Sequence, residues 1–286
     1  LPKGEGLHPV AIFIHGSGNM GRKYKGFRVH AQRLARLGLA MLIYDKRGVG
    51  ESTGDWRTAT FSDLAEDALG AVELLKEHQQ IDPSRIGLFG LSQGGWIDLL
   101  VASRADIAFI VMLSGAPMTP AEQGHYIVEA RLRKKGYTEE EIAKALELDR
   151  QITEVYRTDS GWEEAQAAIE VARNESWFED ARLGLQSRDS WNWQWYRDVP
   201  FDFDPIPILE ALEIPIFAAH GEEDMLVPGR KSAEIMESIK QEGNKDITNL
   251  LVPEVGHGVF IKRAVWPDMY WDALEAWLRD KVLVEQ

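Results

Sequence analysis

Short apolar runs alternate with longer amphipathic stretches at both ends of the chain. Residues 10–14, 40–44, 86–91, 108–113, 214–219 and 248–252 are each bounded by turn residues. Continuous apolar runs of this length predict strands buried on both faces of a parallel sheet. The segments between them read as helices. Leu64, Ala68, Val72 and Leu75 recur at helical spacing behind Thr60 and Asp63, which resemble a capping box. Further helices are expected after Ser92, over 232–240 and over about 269–283. Strand alternating with helix implies right-handed crossovers, hence a doubly wound, mostly parallel α/β sheet.

The stretch 118–207 breaks the rhythm and holds no convincing strand. Thr138 with Glu141 opens a helix through Ile142, Leu146, Ile152 and Val155, and Trp162, Ala165, Ile169 and Ala172 mark another. Trp191, Trp193, Trp195 and Tyr196 follow, then Pro200, Pro205 and Pro207. Both ends return to the sheet, so the segment is expected to be a helical cap between the fourth and fifth strands. The core would then be 1–117 with 208–286. An extended conformation would put the three tryptophans on one face, as an apolar wall over a site; packing the cap onto the sheet is the competing role.

Composition narrows the chemistry. The 286 residues are 44% hydrophobic and 27% charged, enough for a sizeable core. Net charge is −14, which argues against nucleic acid and anionic membranes as partners. Cysteine is absent, which excludes disulfides and thiolate chemistry. The histidines are scattered, with no metal-ligand spacing, and no metal or cofactor is expected. No apolar run approaches the length of a membrane span. The first residue is Leu, so the expectation is a processed chain or a fragment, cytoplasmic or exported after loss of an N-terminal segment. Oligomeric state is not legible.

Gly90-Leu91-Ser92-Gln93-Gly94 lies between an expected strand and an expected helix. In that context G-x-S-x-G denotes a nucleophile elbow, with Ser92 exposed at the sheet edge and a helix N-terminus behind it. A serine hydroxyl needs a base and an orienting acid. His257, between Gly256 and Gly258 after the last strand, is the candidate base, and Asp224 in the loop after residue 219 is the candidate acid, with Glu222 and Glu223 as competitors. The oxyanion would take the Gln93 N–H and a second N–H from His15-Gly16-Ser17-Gly18, with Ser17 preferred to Gly16. The glycine-rich loop 45–52 is read as tied down by an Arg47–Glu51 ion pair.

Together with Tyr44-Asp45-Lys46-Arg47-Gly48-Val49-Gly50-Glu51-Ser52, these motifs resemble those of α/β-hydrolase esterases. The nearest resemblance is to carboxylesterases related to dienelactone hydrolases and to peptidase-like hydrolases. It covers nearly all of the chain outside the expected cap. It implies a Ser-His-Asp mechanism acting on a small-molecule ester, with an aromatic pocket favouring short to medium acyl or aryl groups. A peptidase or amidase is the alternative, with Glu129, Glu154 or Glu163 supplying an acidic subsite for a substrate amine. A non-catalytic binding protein is third, and an intact triad disfavours it. The family pattern has two further strands ahead of the first run, whereas only about nine residues precede it here.

Overall fold

A computed structural model describes residues 1–243, 245–262 and 265–284. Its centre is a six-stranded sheet of β1 (His8–Ile14), β2 (Ala40–Leu42), β3 (Ile81–Leu91), β4 (Ile110–Leu113), β5 (Ile216–Gly221) and β6 (Ile247–Val252). The order is β2-β1-β3-β4-β5-β6 and every pairing is parallel. All strand ends therefore fall on one edge, and the order reverses between β1 and β3. In such sheets the crevice at this reversal, beyond the carboxyl ends, is where ligands bind.

Both faces of the sheet are covered, which explains the unbroken apolar runs. Ala11, Phe13, Phe89, Val111 and Phe217 face α1 (Lys25–Leu37) and α11 (Asp268–Lys281) in one cluster with Phe27, Leu34, Tyr270, Leu274 and Leu278. The alternate residues Val10, Ile12, Leu88 and Ala218 are also buried, and α2 (Phe61–Lys76), α3 (Gln93–Ala102) and α10 (Gly229–Gly243) pack on the strands as well. A short helix, α9 (Ile206–Ala211), leads into β5.

The chain divides into two compact units. The sheet unit is Leu1–Trp56, Phe61–Pro117 and Pro205–Gln286; the helical unit is Met118–Asp204 with Arg57–Thr60. The helical unit contains α4 (Pro120–Lys135), α5 (Glu139–Thr158), α6 (Trp162–Ala172), α7 (Phe178–Ala181) and α8 (Trp191–Asp198). It has its own core, with Leu132, Ile142, Ile152, Ile169, Trp177 and Trp193 buried together. Residues 57–60 join it from a distant part of the sequence, where Arg57 sits over the Trp191 ring.

The tryptophan-rich stretch is helical rather than extended. The Ser190 hydroxyl accepts from the Trp193 N–H and caps α8. Residues two apart on a helix point away from each other, so the expected shared face does not form. Trp193 is buried against Tyr156 and Trp162, while Trp191 is half exposed and Trp195 meets Tyr196 edge-on. The Arg47–Glu51 pair is also corrected. Arg47 makes a bidentate bond to Asp67 on α2, at 2.8 Å for each contact, and Glu51 pairs with Arg22. Among the described residues, no helix is long and apolar enough to cross a membrane.

Candidate active site

The carboxyl edge of the sheet collects the chemistry-bearing residues. Ser92 sits between the last residue of β3 and the first of α3. Its backbone has φ 55° and ψ −118°, a conformation that side chains other than glycine rarely adopt. The strain is held by both neighbours. The Ser92 N–H donates to Leu113 O at 2.9 Å, and the Gly95 N–H donates to Ser92 O at 2.9 Å. The flanking glycines are required by close approach. A Cβ at position 90 would collide with the Asp98 carboxylate and lie 2.6 Å from the Gly94 carbonyl carbon. One at position 94 would lie 2.5 Å from Ile14 O. The chain folds back tightly enough for β1, β3 and α3 to meet here.

Asp224 and His257 come together. Their loops follow β5 and β6, which are neighbours in the sheet. His257 Nδ1 donates to Asp224 Oδ2 at 2.7 Å, and the carboxylate, able only to accept, leaves Nε2 as the basic atom of the ring. Asp224 is 1% exposed, and its other oxygen accepts from the N–H groups of Leu226 and Val227 at 2.8 and 3.0 Å. Glu222 turns instead to Arg230 at the surface, and Glu223 is exposed. Of the three acidic residues in this loop, Asp224 is the one with its carboxylate on His257. The His257 loop is anchored by its successor. The Gly258 N–H donates to the Ser114 hydroxyl at the end of β4, at 2.9 Å, and Gly258 O accepts from Trp266 Nε1 at 2.8 Å. β4 in turn pairs with β3, whose end carries Ser92.

The loop after β1 lies against the serine. A Cβ on the buried Gly16 would stand 3.5 Å from Ser92 Cβ, while Ser17 is exposed. Gln93, the first residue of α3, is bonded through its side chain to Lys46 Nζ at 3.2 Å. Lys46 Nζ also donates to Gly16 O at 3.0 Å. Lys46 is 3% exposed, and burial pulls its pKa down to about 8, with Asp67 opposing the shift. His15 is buried beside it, donates from Nε2 to Tyr44 O at 2.9 Å, and has its pKa lowered by burial to about 4. His220 is buried within β5, donates to Gly115 O at 2.8 Å, and is likewise pulled down by burial. Lys46 was not among the sequence candidates. A lysine just past a strand reads as solvated, and only the fold buries it.

A strained serine at a strand–helix turn, an Asp–His pair across the same edge and a parallel sheet define an α/β-hydrolase. Sequence comparison makes the assignment narrower: residues 13–259 match the model of the X-Pro dipeptidyl-peptidase (S15) family, and the chain belongs to that family. It is 33% identical to Esterase EstD of Thermotoga maritima over 129 residues, which are 43% of this chain and 30% of that protein. It is 24% identical to the AB hydrolase superfamily protein YisY of Bacillus subtilis, over 87% of this chain and 85% of that one. An esterase of Pyrococcus furiosus shares the fold at a TM-score of 0.60 and 17% identity, covering 97% of this chain and 83% of that one. The matches to the Thermotoga protein and to an Escherichia coli protein span about a third of the length of those relatives.

Proposed function

We propose that this protein is a serine carboxylesterase acting on short- to medium-chain acyl or aryl esters. The observation that carries the reading is the hydrogen bond from His257 to the buried Asp224, on the sheet edge that also holds Ser92 in its strained turn. His257 Nε2 takes the Ser92 proton as Oγ attacks the ester carbonyl carbon. The Gln93 and Ser17 N–H groups hold the tetrahedral oxyanion, with Gly16 as the alternative second donor. Asp224 steadies the imidazolium, which returns the proton to the leaving alkoxide. Water, deprotonated by His257, then attacks the acyl-enzyme and releases the acid. No cofactor takes part.

Trp191, Trp195 and Tyr196 are kept as the proposed aromatic contacts of the acyl or aryl group. Trp193 is already taken up in the core of the helical unit. The family match favours a second reading, a peptidase or amidase. A substrate amine would then need a free carboxylate. Of the three candidates, Glu129 and Glu154 are engaged by Arg133 and Arg157, which leaves the exposed Glu163 to supply that carboxylate in the peptidase reading. Kinetics on aryl esters of rising acyl length beside aminoacyl anilides decide between the two. The esterase reading expects turnover of the esters, best at short to medium acyl length, with the anilides well below. Faster cleavage of anilides than of any ester overturns it.

A further inference from the structure

We propose that Lys46 is a positioning residue of the oxyanion hole, tying together the two chain segments that supply its N–H donors. This deepens the esterase reading and rests on it. Lys46 lies just beyond β2, and its ammonium bonds to one group on either side of Ser92. Gly16 O belongs to the loop after β1, and Gln93 Oε1 belongs to the residue that follows the serine.

The Gly16 contact has a directional consequence. The Gly16 carbonyl and the Ser17 N–H are the two ends of one planar trans peptide, so they point in opposite directions. Pinning the carbonyl on Lys46 aims the Ser17 N–H away from Lys46 and fixes the plane of that peptide. A cation on the carbonyl also polarises the unit and strengthens its N–H as a donor. Of the two candidates in this loop, the contact therefore selects Ser17. The Gln93 contact does the corresponding work on the other segment, holding the start of α3 against the same ammonium.

The placement is costly for a structural filler. A lysine is almost never fully buried unless paired, yet Lys46 is 3% exposed and its two bonded partners are neutral oxygens. The charged and titratable groups that face it are few. Asp67 on α2 favours its charge but is held bidentately by Arg47, and His15 in the loop after β1 is buried and neutral above pH 4. Asp45, next to it in the chain, bonds to the Arg22 N–H at 2.9 Å. The ammonium's charge is thus directed at one peptide carbonyl and one side-chain amide, and it is lost as pH rises through about 8.

The test is steady-state hydrolysis of p-nitrophenyl acetate across pH 6–10 by the native protein and by Lys46→Met, Lys46→Arg and Ser92→Ala. Removing one oxyanion donor costs on the order of 100- to 1000-fold in kcat, so loosening both should cost Lys46→Met about 10- to 100-fold, with KM within about threefold. Native kcat should fall above pH 8, and Lys46→Arg, whose charge persists, should recover part of the rate and lose that alkaline limb. A purely structural lysine would lower thermal stability when replaced and leave kcat and the limb alone. Native kcat in Lys46→Met, or an alkaline limb unchanged in Lys46→Arg, overturns the role. If Lys46→Met does not fold, the native profile and Lys46→Arg still decide. Ser92→Ala separates the two failures: turnover that survives it removes the esterase reading and the Lys46 role together, whereas turnover that it abolishes leaves the Lys46 variants to judge Lys46 alone.

Discussion

The Asp224 carboxylate accepts from the imidazole of His257 and from the backbone N–H groups of Leu226 and Val227, and it is almost fully enclosed. Replacing it with Asn puts a donor where His257 needs an acceptor and favours the wrong ring tautomer. Asp224→Asn is expected to lower ester kcat by about 10,000-fold, the cost of the corresponding change in a well-studied triad. Glu222→Gln and Glu223→Gln should stay near the native rate. A larger loss from either glutamine variant in the same assay would move the acid away from Asp224. At this scale the motif residues were legible because G-x-S-x-G and the strand-end loops carry their own context. Lys46 and the Arg47–Asp67 pair were not. Their partners lie 20 or more residues away, whereas pairing Arg47 with Glu51 rests on nearness in sequence alone.

At the scale of elements, buried parallel strands announce themselves by length and apolarity, and all six expected runs overlap strands of the sheet. Helix starts were partly legible. The Thr138–Glu141 box is reciprocal in the structure, and so is a second box at Thr119 and Glu122, with Pro120 at the first position of α4. That second signal, Thr119 followed three residues on by Glu122, is written in the sequence in the same form as the first. Thr138→Ala should lower stability by about 1 kcal/mol, seen as a shift of the denaturation midpoint at unchanged steepness. An unchanged midpoint would mean that the box is idle. The α8 tryptophans were ambiguous because alternation of large apolar residues suits a strand as well as a short helix. The Ser190 cap, which settles α8 as a helix, is a single hydroxyl.

For the whole molecule, the recruitment of residues 57–60 to the helical unit is a tertiary event with no local signature. Buried titratable groups set how stability varies with pH. His15 and His30 titrate near 4 when folded, because burial disfavours their charge, and near 6.5 when unfolded. The unfolded chain binds more protons between these values, so stability is lost as pH falls from about 6.5 to about 4. Asp98, fully buried beneath the elbow, is pushed well above the carboxylate range by desolvation. Its contribution has the opposite sign: it is present at low pH and lost as pH rises through its raised pKa. Asp98→Asn should therefore gain melting temperature over the native protein at pH 7 and little at pH 4, while the acid loss from the buried histidines, His220 among them, persists in that variant. An equal offset at both pH values contradicts the assignment. Reaction with a fluorophosphonate, followed by peptide mass spectrometry, should place one adduct on Ser92 and none on the Ser92→Ala protein. An adduct on another residue, or undiminished labelling of Ser92→Ala, would contradict the account.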